Sequence, residues 1–389
     1  MTPDIRFKGY TQDWEQRKLG ELVNISSAAR VHKNEWTTSG VRFFRSSDII
    51  SSFKGVENEK AFISHELFEK LAEKSGKVRV DDVLVTGGGS VGVPYLVIDK
   101  DSMYFKDADL IWLKNSGIID GYFLYTYFTT SVFRKYINTI SHVGTISHYT
   151  IIQVKETPIK LPSKEEQVVI GAFFKKLDDT IALHQDKLVK LKQLKKGYMQ
   201  LMLPEKDEKI PSLRFANFSQ DWEQRKLREV IESELKGKAK AEMTGSENAY
   251  LETNYLNGGE ISYVNSPSDV DKDDVIILWD GSQAGTVYHG FKGALGSTLK
   301  AYKPKESGEF IYHFLKRNQQ KIYTNYRTPN IPHVVKTFID EFYVSIPIFD
   351  EQQRISSLFE QLDYTITLHQ KKISTLQEIK KIYLQKMFT

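Results

Sequence analysis

Two stretches of the chain place large residues at steps of three and four, with polar residues between them. One stretch lies within residues 162–203 and the other within residues 347–389. This spacing puts the large residues on one side of an α-helix, and its persistence over many turns is typical of a coiled-coil seam. The predicted seam positions are Leu177, Ile181, His184, Leu188 and Leu191 in the first helix, continuing to Leu194 and Leu201, and Leu362, Ile366, His369, Ile373 and Leu376 in the second.

The two predicted helices are copies of each other. The sequence LDDTIALHQDK at 177–187 recurs as LDYTITLHQKK at 362–372. A helix of this length gains little stability from intrinsic propensity, so its apolar stripe needs a partner. Since the nearest matching stripe belongs to the copy, we predict that the helices pack side by side and antiparallel, about a pseudo-two-fold axis. His184 and His369 are then polar interruptions that set the register.

A second repeat precedes each variable part of the chain. QDWEQRKL occurs at 12–19 and again, identically, at 220–227. Trp14 and Trp222 are predicted to pack into the core while the charged residues stay solvated. The repeats divide the chain into a lead-in segment (1–19), a first body (20–161), a first helix (162–203), a linker with the second lead-in segment (204–227), a second body (228–346) and a second helix (347–389).

The two bodies differ in length and share little sequence. Each contains short runs rich in Val, Ile, Tyr and Phe that Gly, Asn and Ser interrupt, a pattern typical of strands and turns. We predict strands at 83–86, 95–98 and 110–113 in the first body and at 275–279, 286–289 and 301–303 in the second, with helical segments at 122–140 and 309–323. The expected fold class is α+β, with two globular α+β domains separated by two long antiparallel helices.

Composition narrows the functional classes. The 389 residues include no Cys, which excludes a disulfide framework and a thiolate metal site. The net charge of +4 permits a polyanionic partner without requiring one. The sequence has no secretory signal and no apolar run long enough to cross a bilayer, so we expect a cytoplasmic protein without a membrane partner.

The sequence contains no complete motif for catalysis or for cofactor binding. The run GGGSVG at 87–92 fits the G-x-G-x-x-G pattern, but Pro94 and a β-rich run follow where a dinucleotide site needs a helix. A tight turn between strands is the better interpretation. No phosphate-binding loop of NTPases and no metal-ligand spacing among the histidines occurs. We therefore expect no catalytic residue, no metal and no cofactor in this chain.

Taken together, the doubled features have a known counterpart. The helix starts PSKEEQ at 162–167 and PIFDEQ at 347–352, the doubled long helices, the doubled QDWEQRKL and the two divergent bodies stand in an order that resembles the specificity (S) subunit of type I restriction-modification enzymes. The resemblance covers essentially the whole chain.

The resemblance implies a function for each part. Each body would be a target recognition domain that reads one half of a bipartite, gapped sequence in double-stranded DNA. The helices would set the spacing and dock two methyltransferase (M) subunits, which bring S-adenosylmethionine and modify adenine at N6. Restriction (R) subunits would bring ATP, and the chain itself would be a non-catalytic specificity subunit.

Base reading requires side chains that reach base edges, whereas phosphates are bound by Lys and Arg. Polar residues in predicted loops of the bodies are therefore the candidate DNA contacts. In the first body they are Arg42, Arg45, Ser46, Ser47, Gly89, Ser90, His142, Thr145, Ser147 and His148. In the second they are Thr253, Asn254, Ser282, Gln283, Arg327, Thr328, Asn330 and His333.

Two other classes of function compete with DNA reading. A duplicated coiled-coil adaptor could clamp two protein partners without touching DNA, and it would be indifferent to the gap in a DNA target. A stand-alone enzyme acting on DNA would transfer methyl groups without a partner, and the missing motifs disfavour it.

Overall fold

The structure is a computed structural model that describes residues 2–106, 109–140, 148–204 and 208–388. The chain forms two compact units. Unit 1 comprises residues 1–184 and 371–389, and unit 2 comprises residues 185–370. Each unit therefore contains one body together with parts of both long helices.

The strands of unit 1 are β1 (Glu15–Lys18), β2 (Asn24–Ser26), β3 (Val41–Phe44), β4 (Ala61–Ile63), β5 (Val83–Thr86), β6 (Pro94–Leu96), β7 (Met103–Phe105), β8 (Leu110–Lys114) and β9 (Pro158–Leu161). Those of unit 2 are β10 (Glu223–Lys226), β11 (Ile231–Lys236), β12 (Thr244–Leu251), β13 (Tyr263–Val264), β14 (Val275–Leu278), β15 (Val287–Tyr288), β16 (Ala294–Leu295), β17 (Leu299–Pro304) and β18 (Tyr343–Ile346).

The helices up to the first long one are α1 (Leu19–Leu22), a 3-10 turn (Lys33–Glu35), α2 (Ser46–Lys54), α3 (His65–Ser75), α4 (Gly121–Thr129), α5 (Ser131–Ile140), α6 (Ile151–Glu156) and α7 (Lys164–Met202). The later ones are α8 (Leu227–Val230), α9 (Thr253–Leu256), α10 (Gly308–Arg317), α11 (Gln319–Asn325), α12 (Phe338–Glu341) and α13 (Phe349–Met387).

The two units share one sheet topology. Unit 1 has sheets in the orders β1-β9, β2-β8-β5-β6 and β4-β3-β7, and unit 2 has β10-β18, β11-β17-β14-β15 and β13-β12-β16. Strand for strand, these orders are the same. The predicted α+β class and internal repeat are thus confirmed, although the bodies themselves share little sequence.

The helical segment predicted at 122–140 is two helices, α4 and α5. Thr130 causes the break, because its hydroxyl donates to Tyr127 O (2.7 Å) and accepts from Phe133 N (3.1 Å), so it ends one helix and caps the next. In unit 2 the corresponding break between α10 and α11 falls at Asn318, whose Nδ2 donates to Phe314 O (2.9 Å).

Both lead-in segments are held in the same way. Each QDWEQRKL copy contributes an edge strand, β1 or β10, that pairs antiparallel with the strand just before a long helix. Trp14 and Trp222 are buried, as predicted. A bidentate ion pair adds to this, joining Arg6 to Glu166 in unit 1 and Arg214 to Glu351 in unit 2 at 2.7 Å.

Each lead-in segment also contacts the end of a long helix in its own unit. Ile5 N donates to Lys386 O near the end of α13 (3.1 Å), and Leu213 N donates to Leu201 O near the end of α7 (2.8 Å). These contacts are equivalent in the two units, as the internal repeat requires.

The long helices run antiparallel within each unit. In unit 1, Phe173 stacks edge-on against Tyr383 (centroids 5.1 Å apart), and Asp178 binds Lys380 (2.5 Å). The residue number rises along α7 from Phe173 to Asp178, whereas it falls along α13 from Tyr383 to Lys380. The two helices therefore run in opposite directions. In unit 2 the repeated counterpart of the second pair is Lys195 with Asp363 (2.5 Å).

The seam residues lie between the helices to different depths. Ile181, Leu362, Ile366, Ile373 and Leu376 are buried, and Leu177, His184, Leu188, Leu191 and His369 are half-buried. Leu194 and Leu201, on the same predicted stripe, are exposed. A straight α-helix drifts about 20° per heptad relative to a 3.5-residue repeat, which rotates positions at the end of a long stripe away from the partner.

Among the described residues, none of the helices has both the length and the apolar composition of a bilayer span. Over the same residues, His, Asp and Glu side chains form no cluster suited to a metal ion.

Candidate nucleic-acid interface

An open cleft of about 400 Å³ in unit 2 collects polar side chains from several elements. It is lined by Thr253, Asn254, Asn257, Leu278, Asp280, Gly281, Ser282, Gln283 and Thr298. Four of the predicted DNA contacts, from α9 and from the loop after β14, thus lie together although some 30 residues separate them in sequence. Their side chains are hydroxyls and amides, which can donate to and accept from base edges.

The loop after β14 is held by backbone geometry. Gly285 N donates back to Leu278 O (2.7 Å), closing the loop between β14 and β15. Gly281 and Gly285 have φ values of +120° and +95°, which a residue with a Cβ rarely adopts. These constraints fix the backbone and leave Ser282 and Gln283 exposed at the tip.

A second loop, residues 327–333, is fastened to the first. Gly281 N donates to Pro332 O (2.9 Å), and Arg327 Nη1 donates to Ser282 O (3.1 Å). Thr328 N donates to His333 O (3.0 Å), which closes the second loop on itself. Arg327, Thr328 and His333 therefore build this loop.

Asn330 is exposed at its tip. All eight candidates of the second body consequently fall into one region, the cleft and the loop fastened beside it.

The equivalent backbone contacts occur in unit 1. Gly92 N donates to Thr86 O (2.7 Å) and closes the loop between β5 and β6. Tyr149 N donates to Gly87 O (2.7 Å). The equivalent bond in unit 2 runs from Val334 N to Trp279 O (2.9 Å). The glycine run at 87–92 is thus a turn between antiparallel strands, as predicted, and contains Gly89 and Ser90. His148 lies beside it, with Nδ1 3.0 Å from Asp109 Oδ2. The predicted contacts His142, Thr145 and Ser147 lie outside the described residues.

The arginines of the first body are engaged inside unit 1. Arg42 Nη2 lies 2.8 Å and Arg45 Nε 2.7 Å from the carboxylate of buried Asp48, which follows the start of α2. Burial alone would raise the pKa of Asp48, but hydrogen bonds from Arg45 and Arg42 outweigh it, so its pKa lies below the ordinary value. Both guanidinium groups fasten the β3–α2 turn, and their contact with DNA stays a prediction.

Ser46 and Ser47 open α2 as Thr253 and Asn254 open α9. Ser47 is exposed, and its hydroxyl accepts from Asn58 Nδ2 (3.2 Å). Neither serine lines the unit 1 cleft that Arg42 borders.

Several residues of the unit 2 region were not singled out from the sequence. Asn257, Asp280 and Thr298 line the cleft, and Lys236 binds Asp280. Ile331 lies between Asn330 and His333 and was not among the predicted contacts. The one available signal was position, since Asp280 lies two residues before Ser282 and Ile331 directly follows Asn330.

Comparison with known proteins supports the architecture. The profile of the type I restriction modification DNA specificity domain matches residues 11–193 and 219–378. The Type I restriction enzyme MjaVIII specificity subunit of Methanocaldococcus jannaschii is 29% identical over 195 residues, which are 47% of this chain and 46% of that protein. A putative type I restriction enzyme specificity subunit of Haemophilus influenzae is 24% identical over 163 residues, 41% of this chain and 39% of that protein.

The matched segments thus span less than half the length of these curated relatives. The crystal structure of the type I restriction-modification S subunit from M. genitalium superposes with a TM-score of 0.71 at 19% identity, covering 100% of this chain and 99% of that one. At this identity the likeness concerns the fold. Because the family profile matches most of the chain in two copies, the protein belongs to the type I restriction-modification DNA specificity family.

Proposed function

We propose that this chain is the sequence-reading subunit of a type I restriction-modification complex, in which each unit reads one half of a bipartite, gapped target in double-stranded DNA. One observation carries the proposal: both units hold a glycine loop and a following histidine-bearing segment together through equivalent backbone hydrogen bonds, while the exposed side chains differ. A common frame with different polar groups is what two readers of different sequences require.

The chemistry of the side chains favours contacts with bases over purely electrostatic binding to DNA phosphates. The unit 2 cleft offers amides and hydroxyls from Asn254, Gln283, Thr253 and Ser282. Two nearby cations already have partners within unit 2: Lys236 is paired with Asp280, and Arg327 donates to Ser282 O. Amide groups can make bidentate contacts to adenine N6 and N7, and such contacts discriminate between base pairs.

The catalytic functions belong, in this proposal, to partner subunits. Two methyltransferase subunits would carry S-adenosylmethionine and modify adenine, and restriction subunits would carry ATP. The proposed docking surface is the outer face of the long helices, where the repeats keep the same residue in both copies. Leu183 and Leu368 occupy equivalent positions, and their side chains are 52% and 47% exposed.

A test of docking follows from the repeat. We expect Leu183→Asp and Leu368→Asp each to lower the number of bound methyltransferase subunits from two to one, as measured by native mass spectrometry. Val189→Asp is the matched control, because Val189 is also exposed on α7 but its counterpart in the repeat is Ser374. If Val189→Asp lowers the number of bound methyltransferase subunits equally, the loss comes from added negative charge on the helix and not from the repeated leucines.

The central experiment is methylome sequencing of cells that express this chain with its partners, followed by binding of the purified complex to the target found. Lengthening the gap by a single base pair should abolish binding, whereas changing the identity of gap bases should not. Replacing the first body, 20–161, should change one half of the target and leave the other intact. Binding that ignores the gap would favour the adaptor alternative, and methyl transfer by the chain alone would favour the enzyme.

A further inference from the structure

Ile331 is the most exposed large hydrophobic side chain among the described residues, at 79%. It stands at the tip of the loop 327–333 in unit 2. Single exposed apolar residues are common on protein surfaces and by themselves mean little. The setting of this residue is what distinguishes it.

The loop presents Ile331 on a rigid support. Its carbonyl oxygen accepts from the Thr328 hydroxyl and lies 3.1 Å from His333 Nδ1, while His333 N donates to the same hydroxyl (3.1 Å). Pro329 and Pro332 flank it, and a residue before proline is confined to extended conformations. The backbone of the tip is thus fixed with the isoleucine side chain facing solvent.

The surroundings of this side chain are polar. The loop is fastened to the glycine loop by Gly281 N to Pro332 O and by Arg327 Nη1 to Ser282 O. The loop thereby lies beside the glycine loop, which lines the unit 2 cleft with Ser282 and Gln283, and it carries exposed Asn330 next to Ile331. Protein interfaces have an apolar core made by many residues, whereas here one apolar side chain stands among hydrogen-bonding groups.

We propose that Ile331 is a wedge that inserts between two stacked base pairs of the half-site read by unit 2 and partly unstacks them. Proteins that bend DNA insert Ile, Leu, Met or Phe in this way beside polar groups that contact the adjacent bases. Pyrimidine–purine steps unstack most easily, so the wedge adds selectivity for such a step without a hydrogen bond to it. This inference rests on the proposed function, and it makes Ile331 a specificity-determining residue for DNA reading by unit 2.

The sequence has an isoleucine at the matching place of the first body, Ile146, two residues before His148. Position 146 lies outside the described residues, so the inference concerns unit 2 alone.

The test uses the complex of the full chain with its methyltransferase partner and target DNA carrying 2-aminopurine at successive positions of the unit 2 half-site. Binding should raise the fluorescence several-fold at one step. Ile331→Ala should lose this rise and relax the preference at that step, whereas Ile331→Leu should retain both. Ile98→Ala is the matched control, because Ile98 is 61% exposed in unit 1.

The outcomes separate the wedge from DNA reading itself. A wild-type complex that binds its target with no fluorescence rise at any step of this half-site overturns the wedge and leaves the proposed function standing. A wild-type complex that binds no specific DNA overturns both. Loss of the methyltransferase partner from the Ile331→Ala variant, with DNA binding unchanged, would make the residue a protein contact and also overturns the wedge.

Discussion

Acidification should loosen unit 2 around His313 while leaving the corresponding part of unit 1 unaffected. His313 is the sixth residue of α10 and is fully buried, and neither ring nitrogen has a hydrogen-bond partner among the described residues. The ring packs at 4.7 Å from that of Phe359. Because burial disfavours the charged imidazolium, the pKa of His313 falls from 6.5 to about 3.

The sign and size of the effect follow from linkage between protonation and folding. Below pH 6.5 the unfolded chain binds a proton at His313 that the folded chain does not, so stability is lost as the pH falls toward the folded pKa. At about 1.4 kcal/mol per pKa unit, the loss is about 2 kcal/mol by pH 5 and approaches about 5 kcal/mol near pH 3.

Other charged groups face this ring and act on the same measurement. They are Lys195 on α7, Asp363 on α13, Lys316 and Glu309 on α10, and His289 after β15. Burial raises the pKa of Glu309, which stabilises the fold as the pH falls and so opposes His313, whereas burial lowers the pKa of His289 and adds to it. Comparing the wild type with His313→Leu cancels these contributions, because all of them stay in place.

Hydrogen exchange measured by mass spectrometry resolves the effect by helix. The opening free energy of the slowest amides in α10 should fall by about 2 kcal/mol between pH 7 and pH 5 in the wild type. In His313→Leu the His313 contribution to this fall should vanish. The internal control is α4, which has Thr126 as its sixth residue and packs on β5 and β6 as α10 packs on β14 and β15. Parallel falls in the wild type and the variant would refute a neutral buried imidazole.

Three further changes test the packing. Arg214→Met leaves the fully buried carboxylate of Glu351 unpaired and should destabilise unit 2 by about 3–5 kcal/mol in urea unfolding, whereas adding Glu351→Met should recover much of the loss. Trp14→Ala should cost about 3–5 kcal/mol through the cavity it leaves, and Trp14→Phe much less, as thermal unfolding will show. Asp48→Asn should lower the urea midpoint of unit 1 at pH 7. This difference from the wild type should shrink as the pH falls below 3.8, since the depressed pKa of Asp48 stabilises the fold only while the carboxylate is ionised.

The long helices were predictable because their signal is local and repeated over many turns. The structure begins them at Lys164 and Phe349, just after the prolines that mark both copies. Short apolar runs likewise located six of the strands, β5, β6, β8, β14, β15 and β17, to within two residues, but not the other strands of the same sheets. The pairing of β1 with β9 was not predictable, because Glu15 meets Leu161 across some 145 residues and no local pattern encodes that register.

The candidate site was predictable in residue type but not in role. Arg42 and Arg45 stood close to two serines in the run RFFRSSDI, which suggested phosphate or base contacts. Only the fold shows that Asp48 is buried beneath them and accepts hydrogen bonds from both guanidinium groups. A carboxylate three residues after the N-cap position is a known capping spacing, so Arg45 and Asp48 carried a signal that could have been read.

The equivalent hydrogen bonds in the two units explain how bodies with little common sequence keep one architecture. Gly87 O and Trp279 O each accept from the residue after a histidine, and Thr86 O and Leu278 O each accept from a glycine that ends the loop. These contacts involve main-chain atoms alone, so they survive replacement of the neighbouring side chains. Selection for a new target can therefore act on exposed residues such as Ser282 and Gln283 while the main-chain frame that positions them stays intact.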